Sequence, residues 1–166
     1  WELNEINFDY VNFYIGEGKL PNWKKMIEDH GLFTTFAEEN YTELEPWIQW
    51  PTIRTGLTFK EHGVFRLGDI EISELKQHWE ILEDKGFSVA ALSPINASNK
   101  TKNSPFWIPD PWVDTKISGN GFIRRFSKAL KQAVNDNFEE KLSFSSMITI
   151  LEGLITKSQI SSWRVY

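Results

Sequence analysis

The segment SELKQHWEILEDKGFSVAALSPI, residues 73–95, joins a helical pattern directly to a strand pattern. In its first half, large apolar residues recur at the spacing of one helix face; they are Leu75, Trp79 and Leu82. Ser73 is suited to cap this helix at its start, and Gly86 is suited to end it. Residues 87–92 are almost continuously apolar, which is typical of a strand buried on both faces of a parallel sheet. The segment therefore predicts a helix followed by a central strand.

The rest of the chain alternates predicted strands with predicted helices. Strand patterns occupy residues 1–7 and 32–37, and helical patterns occupy residues 8–15, 22–30, 46–56, 121–135 and 144–157. Residues 94–116 contain four prolines, which predicts a long loop. This order predicts an α/β fold, a mainly parallel sheet sandwiched between helices, in a single domain over residues 1–166.

The composition excludes several classes of protein and of site. The 166 residues include no cysteine, which excludes disulfide scaffolds, cysteine-ligated zinc and thiol nucleophiles. The absence of cysteine also slightly favours a cytoplasmic location. The formal net charge is −5, opposite in sign to most proteins that bind a nucleic-acid backbone, so we expect no nucleic-acid partner. No apolar run is long enough for a membrane span.

The apolar patterns continue to both ends of the sequence. Trp1 begins the first strand pattern, and Tyr166 follows the last helical pattern without a terminating signal. We therefore expect the chain to be an excised part of a longer protein, with the missing C-terminal half of that protein as its partner.

Polar residues follow two of the predicted strands. Asn4, Glu5 and Asn7 follow the first, and Ser93 and Asn96 follow the last. Ligands collect at the carboxyl ends of parallel strands, so both groups are candidate site residues. Asn7 is equally suited to cap the next helix. Glu5 would be costly at the end of a central strand unless a cation or hydrogen bonds compensate its charge.

Three segments, in order, resemble one known family. They are LPNWKKMIEDHG at residues 20–31, WPTIRTGLTFKEHGVF at residues 50–65, and residues 75–89, which end in KGFSV. Together they resemble the alkaline phosphatase superfamily, most closely its type I phosphodiesterase and nucleotide pyrophosphatase branch, over about residues 1–95. In this family the pair that begins at His62 is mostly a structural turn, and we assign it no catalytic role.

The resemblance implies a large parallel sheet between helices and a metal-assisted hydrolysis of phosphate or sulfate esters. In typical members, two divalent metals, often zinc, polarise the ester and activate a Thr or Ser nucleophile. Asn4 and Glu5 stand where the family has its metal-ligating Asp. The resemblance therefore assigns metal binding to these two residues.

The nucleophile position of the family falls on Pro46, beside Glu45, and the nearest hydroxyls are those of Thr42 and Thr52. We assign Thr52 and Glu45 as the candidate catalytic residues. The expected substrate is a small phosphate or sulfate ester, and the expected activity is that of a hydrolase or transferase. Because the family's other metal ligands lie in its C-terminal half, we expect this chain alone to be inactive.

Two other functions stay open at this point. A non-catalytic relative would keep the scaffold and bind a ligand or partner, which the loss of the family's Asp and Thr favours. A carbohydrate-recognition module would instead use Trp107, Trp112 and the Asn-rich loop around them. Arg54, Arg66 and Asp69 are interpreted as an ion pair at the surface.

Overall fold

The computed structural model describes residues 2–37, 40–135 and 142–156. The chain divides into two compact units, Trp1–Glu38 and Glu39–Tyr166. Of the described residues, 51% are helical and 3% are in strands. The prediction of a mainly parallel sheet sandwiched between helices is therefore wrong. None of the helices in the described part of the chain is long and apolar enough to cross a membrane.

The first unit contains two helices, α1 at Phe8–Gly16 and α2 at Pro21–His30. Asn7 caps α1, since its Oδ1 accepts the N–H groups of Asp9 at 2.9 Å and Tyr10 at 3.3 Å. Both helices were predicted from the sequence. Their start signals are local, because a capping side chain or a proline in the first turn satisfies or removes free N–H groups without any tertiary contact.

The two strands predicted for the first unit do not form. Residues 2–7 and 32–37 have no regular structure, and the ring of Phe36 is 98% exposed. A strand needs a neighbour for its backbone hydrogen bonds, and the described residues provide none here. The alternating pattern alone was therefore insufficient. Trp1 of the first predicted strand and Lys157 of the last predicted helix lie outside the described residues.

The second unit is built mostly from helices. They are α3 at Pro46–Thr55, α4 at Phe59–His62, α5 at Asp69–Ile72, α6 at His78–Asp84, α7 at Gly121–Asn135 and α8 at Phe144–Thr156, with a 3-10 turn at Tyr41–Glu43. The predicted helix over residues 73–85 begins later than expected. Its capping residue is Gln77, whose N–H donates to the Glu80 carboxylate at 2.8 Å. Ser73 instead follows the end of α5, where its hydroxyl donates to the Ile70 carbonyl.

The strand predicted over residues 87–92 is reduced to its last two residues. Strand β1, Ala91–Leu92, pairs in parallel with β2, Trp107–Ile108. Phe87 belongs to the end of α6 instead, because its N–H donates to the Leu82 carbonyl at 3.0 Å while Gly86 takes a positive φ of 86°. This is the hydrogen-bond pattern that closes helices with glycine. It uses the N–H group that a longer strand would have paired.

The described core of the second unit centres on two tryptophans. Trp79 from α6 and Trp107 from β2 meet edge to face, with ring centroids 4.9 Å apart, and Ala97 packs with them. The edge-to-face arrangement adds a favourable quadrupole interaction to the buried apolar area. The core therefore lies between one helix, α6, and the two-stranded sheet. The predicted fold would instead have a core between a large sheet and a layer of helices.

Two carboxylates of α6 hold the loop between the strands. Glu80 accepts the Lys100 N–H at 3.2 Å, and Glu83 accepts the N–H groups of Lys102 at 2.8 Å and Asn103 at 2.7 Å. Burial raises the pKa of Glu80 above its ordinary value of 4.5, although hydrogen bonds from the backbone oppose this shift. The hydrogen bonds from Lys102 and Asn103 lower the pKa of Glu83.

We predict that these two carboxyl groups affect stability against pH in opposite directions. Glu80 holds its proton more tightly in the folded chain, so its contribution to the free energy of unfolding is present at low pH and is lost as pH rises through the raised pKa. The contribution of Glu83 is present above pH 4.5 and is lost as pH falls through the lowered pKa.

Denaturant unfolding at several pH values, on the unsubstituted chain and on the Glu80→Gln and Glu83→Gln variants, measures both effects. The stability difference between the unsubstituted chain and Glu80→Gln should decrease as pH rises. The corresponding difference for Glu83→Gln should increase. Trends of the same sign in both variants would contradict this account.

Candidate functional site

Asn96 and Asp110 follow the carboxyl ends of β1 and β2. This is the edge of a parallel sheet at which ligands collect. The Asn96 N–H donates to Asp110 Oδ2 at 2.5 Å. Asp110 Oδ1 accepts the N–H groups of Trp112 at 2.9 Å and Val113 at 2.8 Å. Both residues are buried. Because both oxygens of Asp110 already accept backbone N–H groups, this edge of the sheet is a structural junction rather than an open ligand site.

The side chain of Asn96 completes the junction. Its Nδ2 donates to the carbonyl oxygens of Trp47 at 2.6 Å and Arg66 at 3.3 Å, and its Oδ1 accepts the Gly68 N–H at 2.9 Å. Asn96 has a positive φ of 46°, which Asn tolerates better than most residues. The amide group therefore ties the start of α3 and the segment before α5 to the end of β1.

Arg54 is buried, and its prediction as a surface ion-pair residue is wrong. It is 2% exposed, and its Nη1 donates to the carbonyl oxygens of Ile95 and Asn96. The guanidinium also lies over the rings of Trp50 at 5.3 Å and Trp79 at 5.2 Å. Carbonyl oxygens and indole faces together replace much of the water that this cation loses. Arg54 is thus a clamp between α3 and the end of β1.

Thr52 forms a pair with His62 that sequence analysis missed. Thr52 Oγ1 lies 2.9 Å from Nε2 of His62, and it donates to the Ile48 carbonyl at 3.3 Å. His62 Nδ1 accepts the Val64 N–H at 3.0 Å. The imidazole is buried. Gly56 is the sequence signal that could have predicted this pair. It ends α3 in the left-handed conformation, and a tight turn there brings the next short helix back against α3.

These hydrogen bonds fix where the protons are. Since Nδ1 of His62 accepts an N–H, a neutral imidazole carries its proton on Nε2 and donates it to Thr52. The Thr52 hydroxyl proton then goes to the Ile48 carbonyl. His62 has no lone pair directed at Thr52 with which to accept its proton, as nucleophile activation requires. The catalytic assignment of Thr52 stays a prediction, which this geometry does not support.

A cavity of about 310 Å³ opens at the start of α3. Its lining combines three aromatic residues with a threonine, a glutamate and an arginine: Tyr41, Trp47, Phe65, Thr42, Glu45 and Arg66 line it, together with Ile48. Trp47 Nε1 donates to the Phe65 carbonyl at 3.1 Å, which fixes one wall. Glu45 is the residue before α3, and its side chain makes no hydrogen bond to the first turn of the helix.

The predicted metal residues lie in the other unit. Asn4 and Glu5 are exposed residues of the segment before α1, and Glu5 has a positive φ of 55°. The predicted meeting of Glu5 with the segment from Glu45 to Thr52 joins two separately described units, so it stays a prediction. Within the described ranges, no three His, Cys, Asp or Glu side chains are grouped closely enough to hold a metal ion.

The carbohydrate hypothesis loses most of its residues. Trp107 is completely buried, and so is the amide-bearing side chain of Asn96. Asn99 is also buried, where its Nδ2 donates to the Lys116 carbonyl at 2.7 Å. Trp112 is 55% exposed. One exposed indole remains of the proposed stacking surface, and the amide groups of Asn96 and Asn99 already donate to backbone carbonyl groups of the chain.

Comparison of the chain with protein-family models, with curated proteins and with solved structures finds no match. The resemblance to the alkaline phosphatase superfamily therefore stays an interpretation of the quoted segments.

We predict that Arg54→Met destabilises the second unit by about 3 kcal/mol, because buried carbonyl oxygens lose a charged donor. Methionine keeps much of the packing against Trp50 and Trp79. Arg124→Met is the control, since Arg124 is exposed and donates to the Gly119 carbonyl at 3.2 Å; it should cost no more than about 1 kcal/mol. Unfolding in guanidinium chloride measures the stability of both variants. Equal losses of the free energy of unfolding would show that Arg54 is not a structural clamp.

We predict that Thr52→Val destabilises the chain by about 1–3 kcal/mol, because it leaves the buried His62 Nε2–H without its acceptor at Thr52. Thr42→Val is the matched control at an exposed position and should change the free energy of unfolding by less than about 0.5 kcal/mol. Urea unfolding measures both variants. A Thr52→Val variant as stable as the control would show that the proton placement is wrong.

Proposed function

We propose that this chain binds a phosphate- or sulfate-type ester in the cavity at the start of α3. In this proposal it is part of a protein related to the metal-dependent hydrolases and transferases of the alkaline phosphatase superfamily. The observation that carries the proposal is the position of Arg66. Arg66 lines the same cavity as Glu45, and Glu45 adjoins the position where the family resemblance places the nucleophile.

Arg66 is suited to hold the anionic part of an ester. A guanidinium offers paired N–H donors that match the oxygens of a phosphate or sulfate group. Arg66 is exposed, and its side chain has no ion-pair partner in the described part of the chain. The cavity also lies at the first turn of α3, where the helix dipole favours a negative charge. Thr42 lines the same cavity and carries a hydroxyl that can donate a hydrogen bond.

Glu45 sets a condition on this binding. Glu45 lines the cavity, and its carboxylate repels an ester dianion at short range. A divalent cation between the two negative groups would convert this repulsion into attraction, which agrees with the metal dependence that the resemblance implies. Because the described residues bring no three candidate ligands together, the donor set does not fit a complete metal site, and the proposal assigns no hydrolytic step to Glu45 or Thr52.

The second candidate function is that of a non-catalytic relative that binds the same class of ligand without turning it over. The hydrogen bonds of Thr52 favour it, since the hydroxyl proton is directed to the Ile48 carbonyl and Nε2 of His62 donates to the oxygen. Both candidate functions require the cavity at the start of α3 to bind an ester. They differ in whether the ester bond is cleaved.

We predict that 4-nitrophenyl phosphate binds the purified chain and that Arg66→Gln weakens this binding at least tenfold, about 1.4 kcal/mol. Arg124→Gln, an exposed arginine on α7, is the matched control and should bind as the unsubstituted chain does. Isothermal titration calorimetry with and without added zinc or manganese measures the affinity. Equal affinities in Arg66→Gln and the control would reject the site.

The same samples test the hydrolase directly. Release of 4-nitrophenolate that depends on added metal and is lost in Glu5→Ala would favour the hydrolase. Binding without release is the result that we expect from this chain alone under either candidate function, because the family's other metal ligands lie in its C-terminal half.

A further inference from the structure

Helix α8 packs small residues toward α7 and exposes its large apolar ones. Ser146 and Thr149 are buried, and a Cβ atom at Gly153 would lie 3.1 Å from the ring of Phe122 on α7. A helix at the surface of a lone protein normally buries its apolar face instead. Six apolar residues of α8 are between 49% and 77% exposed, and we call them the α8 stripe: Phe144, Met147, Ile148, Leu151, Leu154 and Ile155.

Polar contacts with α7 hold α8 in this orientation. Near one end of the antiparallel pair, Arg125 Nη2 lies 2.7 Å from Glu152 Oε2. Near the other end, the Ser146 hydroxyl donates a hydrogen bond to Oε1 of Gln132. Rotating α8 until the stripe faced α7 would break both contacts. The packing of α8 on α7 therefore itself exposes the stripe.

The α8 stripe has the pattern of a helix that packs along another helix. A seven-residue apolar repeat lets two helices stay in contact over their length at a small crossing angle. The stripe therefore fits a second helix better than it fits a small ligand. Its residues form three pairs at this spacing: Phe144 and Leu151, Met147 and Leu154, Ile148 and Ile155.

The charges of α8 favour an identical helix as the partner. Helices that lie on a lipid surface carry Lys or Arg beside the apolar face, but the one charged residue of α8 is Glu152, which pairs with Arg125. Partners that differ from each other are selected largely by complementary charges, and the stripe itself contains no charge. A second copy of α8 needs none, because its own stripe matches.

The size of the α8 stripe also suits a dimer. Because half or more of most of its six side chains is exposed, the stripe presents roughly 600 Å² of apolar surface. Such an area is at the upper limit for an apolar patch on a monomeric protein. Two stripes in contact would bury about 1,200 Å² together, which is the lower end of the range for specific protein interfaces.

The α8 stripe is complementary to itself when two copies run antiparallel. A two-fold axis between positions 149 and 150 places Ile148 of each copy against Leu151 of the other. The same axis places Phe144 of each copy against Ile155 of the other. Each contact then occurs twice, as in any interface with two-fold symmetry, and the assembly is closed.

We propose that α8 is the interface of a homodimer, in which the α8 stripes of two copies pack antiparallel and α7 lies on the outside of each. The four helices would then form a bundle with the stripes at its centre. The inference goes beyond ester binding, because it concerns a different surface and does not depend on the cavity at the start of α3.

Sedimentation velocity of the whole chain over a micromolar concentration series tests the proposal. The unsubstituted chain should form a species of twice its mass of 19.4 kDa as the concentration rises. Leu151→Glu should weaken this association at least a hundredfold, because each dimer would bury two unpaired carboxylates. Ile72→Glu is the matched control at an exposed apolar position of α5 and should leave the dimer unchanged.

A mixture of two variants is decisive, because it restores association rather than removing it. Ile148→Lys and Leu151→Glu should each be monomeric alone. Mixed in equal amounts they should form a heterodimer, since the introduced ammonium group of one chain faces the introduced carboxylate of the other. A folding defect in either variant does not produce this result.

Three results would overturn the proposal. An unsubstituted chain that stays monomeric would leave the α8 stripe to a different partner. A dimer that Leu151→Glu does not weaken would place the interface elsewhere. A mixture of the two variants that stays monomeric would exclude the antiparallel pairing of Ile148 with Leu151.

Discussion

The buried side chain of Arg54 is the contact on which the second unit depends most directly. Its guanidinium spans from α3 to the carbonyl groups of Ile95 and Asn96, just beyond the end of β1. A cation in a protein interior must replace its hydration, and the chain supplies carbonyl oxygens on one side and the rings of Trp50 and Trp79 on others. Because these partners come from three parts of the chain, α3, α6 and the end of β1 are held together by one side chain. Asn96 and Asp110 extend the same arrangement to the end of β2.

The parts of the fold that were predictable from sequence are those with local signals. Helix α2 begins at Pro21 and ends before Gly31, and helix α3 begins at Pro46 and ends before Gly56. These boundaries are local because proline and glycine act on the backbone of their own turn. The strands were not predictable, since the apolar residues 87–92 fit a buried strand and a helix terminus equally well until the partner of each N–H is known. Arg54 was misplaced for a related reason, because nothing in its local sequence announces the carbonyl groups 41 and 42 residues away.

The candidate site shows the same division. The resemblance directed attention to the start of α3, and the cavity that contains Glu45 and Thr42 lies there. Arg66 and the contact between Thr52 and His62 depend on how the chain returns after Gly56, which residue spacing alone does not determine. The position of a proton on His62 follows only from both of its ring contacts. The direction of a hydrogen bond therefore cannot be predicted from residue types, even where the residues themselves are correctly chosen.

The hydrogen bonds of the Asn96 side chain span long stretches of sequence, and this affects how the second unit unfolds. Its amide group joins backbone atoms 49 and 30 residues earlier in the chain, while its own N–H reaches a carboxylate 14 residues later. Closing such loops costs entropy that no single hydrogen bond repays, so these contacts form together rather than one at a time. The part of the second unit from α3 to Asp110 should consequently unfold as one cooperative block. In native-state hydrogen exchange, the N–H groups of Gly68 and Asn96 should therefore share one opening free energy, although they lie 28 residues apart.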